Sequence, residues 1–281
     1  MSGVWTIARL TFDGAVRRRV LWALLLLGGA FLALYALGLA VMRGAWEQNT
    51  YITNNPQVAE TGKNFFLVAG LYAANFLIVM MTVLISIDTL AGEIGNETIQ
   101  SIAVKPVRRV EIVLGKWLGF AGILAVYIAL IAGGVMLLML LFFGYVAPKP
   151  LIGIGILYLE SLLLLSLTFL FGTRLSALAC GAVAFGLHGV AFIGGWVGQF
   201  GTWTFSEGAQ DVGRFSQIIM PTEALWRYAA AQMQPPSLGL ARFASPFSGG
   251  ASPGSGIVGY ALAFAAIALL LAAWQFHRRD L

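Results

Sequence analysis

The sequence predicts an all-α integral membrane protein with six transmembrane helices, and three observations carry that expectation. Hydrophobic residues make up 59% of the 281 positions and charged residues only 10%, whereas a soluble domain carries about 25% charge. The mean hydropathy is +0.85. Cutting the chain at its charges leaves uncharged windows at 20–42, 64–87, 117–148, 175–206 and 256–276, each near or above the ~20 residues that cross a bilayer. One further window, 150–173, is interrupted only by Glu160, and the leucines flanking that residue still carry it across. The expected spans are 20–42, 64–87, 114–143, 150–173, 175–199 and 256–276, all within a single transmembrane domain of residues 1–281.

Ahead of the first span, Thr6, Arg9, Asp13 and Arg17 recur at helical spacing, while Val4, Trp5, Ala8, Phe12, Ala15 and Val16 cover the opposite side. This pattern predicts an amphipathic helix over 3–17, lying in the membrane interface. The run Arg17-Arg18-Arg19 before an apolar stretch has the look of a secretory signal. The stretch, however, is longer than the about 7–15 residues of a signal core, so it reads as an uncleaved first span.

Orientation follows from the basic residues. Arg9, Arg17, Arg18, Arg19, Lys105, Arg108, Arg109, Lys116, Arg174, Arg278 and Arg279 fall on one side; Arg43, Lys63, Lys149, Arg214, Arg227 and Arg242 are spread more thinly over the other. The denser side is expected to face the cytoplasm, with both termini, at the cell's cytoplasmic membrane. The external segment 200–255 starts near Trp203 and closes in a Gly/Ser/Pro-rich run. Within it, Pro221-Thr222-Glu223 is a helix start for Ala224–Met233, apolar enough to lie against the membrane or cap the bundle.

The net charge of +5 does not indicate nucleic acid, because the positive residues sit at the ends of apolar runs and no soluble module is left to bind it. Cys180 is the one cysteine, and His188 and His277 are the two histidines. That excludes an intrachain disulfide and a thiolate metal cluster, and no metal site is expected. No enzyme is expected either. His-Glu-x-x-His is absent, and the phosphate loop Gly-x-x-x-x-Gly-Lys-Ser/Thr is absent, since Gly115-Lys116 is followed by Trp117.

The loop between the second and third spans, 88–113, is more ordered in pattern than a linker. Leu90, Ile94, Thr98, Ile99 and Ile102 share one helical face and Glu93, Asn96, Glu97 and Gln100 the other, and Pro106 blocks continuation before Arg108, Arg109 and Lys116. Two readings fit: a short helix that transmits a push from a cytosolic partner, or an interfacial helix anchored by its basic residues.

This loop resembles that of ABC-2 type permeases, the membrane subunits of one class of ABC exporters, closest in flavour to the multicopper-enzyme-maturation group. Glu93, Glu97, Thr98, Pro106, Arg108, Arg109, Gly115 and Lys116 match its pattern, and the resemblance extends over the whole chain to Arg278-Arg279-Asp280. It departs at Glu97, where such permeases often carry Gly. The resemblance implies an ABC-2 type exporter fold, a second permease copy in a homodimer or heterodimer, and a separate cytosolic ATPase subunit. The ATPase would hold ATP-Mg and dock on Leu90, Glu93, Ile94, Glu97, Thr98, Ile102, Pro106, Arg108, Arg109 and Lys116. No cofactor is implied for this chain itself. Spans one, two and five would border the path.

Glu160 is the costliest residue to place, at least about 2.5–3.5 kcal/mol for a charge at mid-membrane. It reads either as a substrate or proton contact or as a hydrogen-bonded group between helices. Asn75 in the second span and His188 in the fifth, on a small-residue face with Ala177, Gly181 and Ala184, have the same two readings. The rival function is a secondary carrier or channel working without an ATPase, which would place several ionisable groups or broken helices at the midplane. The importer loop Glu-Ala-Ala-x-x-x-Gly does not occur at 88–116. Nothing in the sequence specifies a substrate.

Overall fold

The computed structural model describes residues 3–95, 109–236, 247 and 253–278, with the backbone alone for 88–95 and 109. Its elements are helices: α1 (Gly3–Val16), α2 (Arg19–Gln48), α3 (Thr50–Asn54), α4 (Pro56–Gly95), α5 (Arg109–Phe143), α6 (Pro150–Gly172), α7 (Ala177–Trp203), α8 (Glu207–Ile219), α9 (Thr222–Met233) and α10 (Gly256–His277). Six of them, α2, α4, α5, α6, α7 and α10, are long and apolar enough to cross a membrane. Helices are what lipid demands, because every backbone N–H and C=O must be satisfied within the segment.

The centre of the bundle is α6. It packs against α4, α5, α7, α9 and α10, and its Leu157, Leu163, Leu164, Leu165 and Phe169 are fully buried. Around it, hydroxyls link neighbouring helices. Ser86 Oγ on α4 donates to Thr168 Oγ1 on α6 (2.8 Å), and Tyr158 Oη on α6 donates to the Ala121 carbonyl of α5 (3.1 Å). Trp117 Nε1 on α5 donates to Ser166 Oγ (3.1 Å), which ties α5 to α6. By contrast, α2 lies on the outside, with Leu26, Leu34, Leu37 and Val41 exposed, as suits a helix facing lipid or another chain.

α1 is laid across the start of α5 rather than only resting in the interface. The crossing needs glycine: a Cβ on Gly115 would stand 2.8 Å from the Val4 carbonyl, and one on Gly119 2.7 Å from the Ala8 carbonyl. Ala8 and Ala15 are buried there, while Trp5 and Leu10 on the other face are exposed. The expected pattern of 3–17 thus reports two surfaces, one for the bundle and one outward.

In two connections the helices run on past the expected spans. The loop expected from residue 88 does not begin there: α4 continues unbroken through Asp88 to Gly95, and α5 already starts at Arg109. Within the expected external segment, the helices α8 and α9 pack against the bundle. α7 runs on to Trp203, and α8 then descends antiparallel along it. The descent rides on a seam of small residues. A Cβ on Gly198 would lie 2.9 Å from the Gly213 Cα, and one on Gly201 2.8 Å from the Ala209 Cβ, with Gly194 against Ser216 below them. Small residues let helix axes approach closely in a membrane, where burial of apolar surface supplies no driving force between helices.

At the bottom of the descent, Met220 and Pro221 turn the chain within the protein, both buried. α9 climbs back, about 18 Å for its twelve residues, and ends with Met233 against Gly153 near the start of α6. The turn sits level with His188, in the middle of α7, whose ring Nδ1 lies 3.1 Å from Thr222 Oγ1. The pair α8–α9 is therefore a re-entrant hairpin. Irregular backbone at membrane depth is tolerated only where protein or water covers it. Here Tyr260 Oη of α10 donates to the Ile218 carbonyl (2.6 Å), satisfying an otherwise open end of α8.

Candidate functional site

The tip of the re-entrant hairpin brings polar residues into the bundle. Glu223 and Arg227 are one turn apart on α9, so both face the same way. They form an ion pair at 3.4 Å with side chains 7% and 6% exposed. Arg227 Nη2 also donates to the Gly195 carbonyl on α7. Burying two ions is affordable only when they are paired and hydrogen-bonded, and this pair is. The acidic partner also lies N-terminal to the basic one, the better order on a helix.

A second polar pair spans α4 and α6. Asn75 Nδ2 donates to Glu160 Oε1 at 3.3 Å. The remaining oxygen of each, Asn75 Oδ1 and Glu160 Oε2, is buried with no hydrogen-bond partner. Asn75 also lines a cavity of about 460 Å³ between α2, α4 and α7, within the about 300–1,000 Å³ usual for small-ligand sites. The cavity walls are apolar and aromatic, including Leu27, Phe31, Leu34, Phe76 and Phe192, and its polar points are Asn75, Tyr72, His188 and Glu223.

An aromatic and hydrogen-bonded collar fixes this wall. Trp196 Nε1 donates to Tyr72 Oη (2.8 Å), the Tyr72 ring lies 5.2 Å from the Trp226 ring, and Trp226 Nε1 donates to the Phe247 carbonyl (3.1 Å). Towards the end of the bundle bearing α3, Tyr145 Oη donates to Asn64 Oδ1 (3.4 Å). Burial pushes the Tyr145 hydroxyl up to about 12, which keeps it a neutral donor.

The structure thus brings Asn75, Glu160 and His188, three residues singled out in the sequence, to one region. The first two bond each other, and His188 meets α9 instead. Glu223, Arg227 and Thr222 join them, though the sequence marked Thr222 and Glu223 only as a helix start. The available signal was Glu223 and Arg227 four apart among Ala224, Leu225, Trp226, Ala229 and Ala230, a pairing that suits a buried helix.

Of the loop residues, Leu90, Glu93 and Ile94 lie on the continuation of α4 and Arg109 at the first position of α5, described by backbone alone. Glu97, Thr98, Ile102, Pro106 and Arg108 lie outside the described residues. Lys116 is 5% exposed, held in the bundle next to the Gly115 crossing with α1. Among the described residues no group of three or more His, Cys, Asp or Glu could hold a metal ion.

Comparison with known proteins bears on what such a bundle does. A probable ABC transporter permease protein NosY of Pseudomonas aeruginosa is 31% identical over 171 residues, 60% of this chain and 58% of that protein. A probable ABC transporter permease protein NosY of Stutzerimonas stutzeri is 31% identical over 125 residues, 44% of this chain and 41% of that protein. The chain therefore spans less than two thirds of the length of either relative. The sequence profile described as "ABC-2 family transporter protein" matches residues 5–281. Six membrane-crossing helices together with that match make this chain a multi-pass permease component of the ABC-2 family of transporter proteins.

Proposed function

We propose that the chain is the permease subunit of an ATP-driven exporter of the cytoplasmic membrane, working beside a second permease copy and driven by a separate cytosolic ATPase that binds ATP-Mg. The observation that carries this reading is the length of α4. At 40 residues it is about 60 Å long, twice the ~30 Å of a hydrocarbon core, so its stretch from Asp88 to Gly95 extends beyond the span as a rigid arm. Asn75 stands on the same helix, 18 residues before Glu93 and about 27 Å away. Force applied by an ATPase at Leu90, Glu93 and Ile94 would rock α4 at the cavity wall without any intervening joint.

Charge supports placing that arm in the cytoplasm. Arg9, Arg17, Arg174 and Arg278 gather at the same end of the bundle as the start of α5, the end that the positive-inside rule assigns to the cytoplasm. Both termini then lie inside. The exposed apolar faces of α2 and α7, on either side of the cavity mouth, are where a second copy would complete the path.

A crosslink tests the reading. In a Cys180→Ala background, a cysteine at Glu93 is expected to crosslink to an ATPase subunit in native membranes, and one at Phe205, at the opposite end, is not. Crosslinking from Phe205, or none from Glu93, Glu97 or Ile102 in turn, would overturn it.

A further inference from the structure

Where α6 turns into α7 and α10 finishes, the bundle holds a cavity of about 360 Å³ lined by Thr173, Arg174, Trp274, Gln275 and Arg278. It offers two guanidiniums and no acid. Among the described residues neither arginine pairs with a carboxylate, and the Arg278 guanidinium lies over the Trp274 ring, 4.3 Å from its centroid. Thr173 Oγ1 stands 2.7 Å from Gln275 Oε1, so the amide oxygen of Gln275 is taken and its Nε2 hydrogens remain to donate.

Hydrocarbon is laid out beside this polar end. Ile267, Leu270, Leu271 and Trp274 recur at helical spacing on α10 and are exposed, and Arg278 follows Trp274 by one turn. From Ile267 to Arg278 the helix rises about 16 Å, close to the depth of one leaflet, half of the ~30 Å core. A single face of α10 thus carries an apolar stripe, a tryptophan at headgroup level and then a phosphate partner.

We propose that this cavity binds the head of an anionic phospholipid, its phosphodiester held by Arg174 and Arg278 with Gln275 donating, and one acyl chain lying along Ile267, Leu270 and Leu271. Guanidinium matches phosphate through paired N–H···O bonds, and basic pockets between membrane helices suit such heads. A zwitterionic head fits less well, because its cation meets two guanidiniums and no carboxylate. Free phosphate leaves the apolar stripe unused. Helix-end carbonyls near the cavity, which would repel an anion, are engaged: that of Phe171 accepts from Arg174 N and Leu175 N, and that of Trp274 from Arg278 N. Bound there, the lipid bridges the turn after α6 to the end of α10. Placing it in the cytoplasmic leaflet rests on the orientation proposed above; its binding does not.

The test uses the full chain in detergent, without any ATPase, so that failure here leaves the ATPase reading untouched. Dioleoyl phosphatidylglycerol and dioleoyl phosphatidylcholine share acyl chains and phosphodiester and differ in net head charge; each is titrated, and bound lipid is counted by native mass spectrometry. The phosphatidylglycerol is expected to bind about tenfold more tightly, and millimolar inorganic phosphate is expected not to displace it. Arg174→Gln with Arg278→Gln should bring it down to the phosphatidylcholine level. Arg9→Gln with Arg17→Gln, at the same end but outside the cavity, should leave the preference unchanged. Should the first pair fail to fold, Arg278→Gln alone is expected to weaken phosphatidylglycerol by about threefold with phosphatidylcholine unaffected. Equal binding of the two lipids, displacement by phosphate, an equal loss from the Arg9 and Arg17 pair, or a preference that survives the loss of Arg174 and Arg278 would each overturn the proposal.

Discussion

Gly213→Ala tests the re-entrant hairpin where backbone meets backbone most closely. A Cβ there would stand 2.7 Å from the Gly198 Cα and 3.2 Å from both the Gly194 carbonyl oxygen and the Gly198 nitrogen. These are backbone atoms of α7 and cannot rotate aside. Ordinary carbon–carbon contact needs about 3.5–4.0 Å, so α8 must move off α7 by about 1 Å along the whole seam. Overpacking of this kind costs about 1–3 kcal/mol. Alanine also gains about 0.8–1.0 kcal/mol over glycine in a helix, so the comparison needs a glycine that gains without clashing. Gly186, inside α7 with open space at its Cβ, provides it. In mixed micelles titrated with SDS, Gly186→Ala should raise stability and Gly213→Ala should fall below it by about 1–3 kcal/mol. Adding Gly198→Ala to Gly213→Ala should cost less than the sum of the two, because one separation relieves both clashes. If Gly213→Ala stabilises as much as Gly186→Ala, the hairpin does not pack as described.

Three further outcomes follow from the same packing. Arg227→Met leaves Glu223 buried without its partner and should cost about 3–5 kcal/mol; adding Glu223→Gln should recover much of it, read by folded yield in detergent. Tyr260→Phe removes the donor to the Ile218 carbonyl and should cost about 1 kcal/mol in the same SDS titration, with no change in helix content by circular dichroism. Gly119→Leu should lift α1 from α5, so amide exchange over residues 3–16 should quicken while α6 stays protected; unchanged exchange would mean the crossing is not held there.

What the sequence disclosed depended on how locally each feature is encoded. The six spans are written in composition over twenty-residue windows, so they could be read directly, with α6 recognisable despite Glu160. The hairpin could not. α8 carries Glu207, Asp211 and Arg214, and α9, at twelve residues, is shorter than any span, so both resemble surface helices until the partners of Gly213 and Glu223 are known. Gly213 packs on Gly198 of α7, and the Glu223–Arg227 pair reaches the Gly195 carbonyl there, contacts about which spacing along α8 and α9 says nothing. Likewise, Glu160 and Asn75 were each conspicuous as polar residues in lipid, but they are 85 positions apart, and nothing in either neighbourhood pairs them. The amphipathic pattern from Leu90 onward was visible. That its first turns belong to α4 was not, because no glycine or proline marks where the span stops and the arm begins.

The central claim is that a separate ATPase drives this permease through the arm of α4. The direct measurement is affinity purification of the chain from its own membranes, followed by subunit identification and an ATP hydrolysis assay on the purified material. The account predicts a stoichiometric subunit with a phosphate loop and ATP hydrolysis, both lost with Glu93→Arg and Glu97→Arg while the permease remains folded. A chain that purifies alone and moves a solute across vesicles without ATP would contradict it.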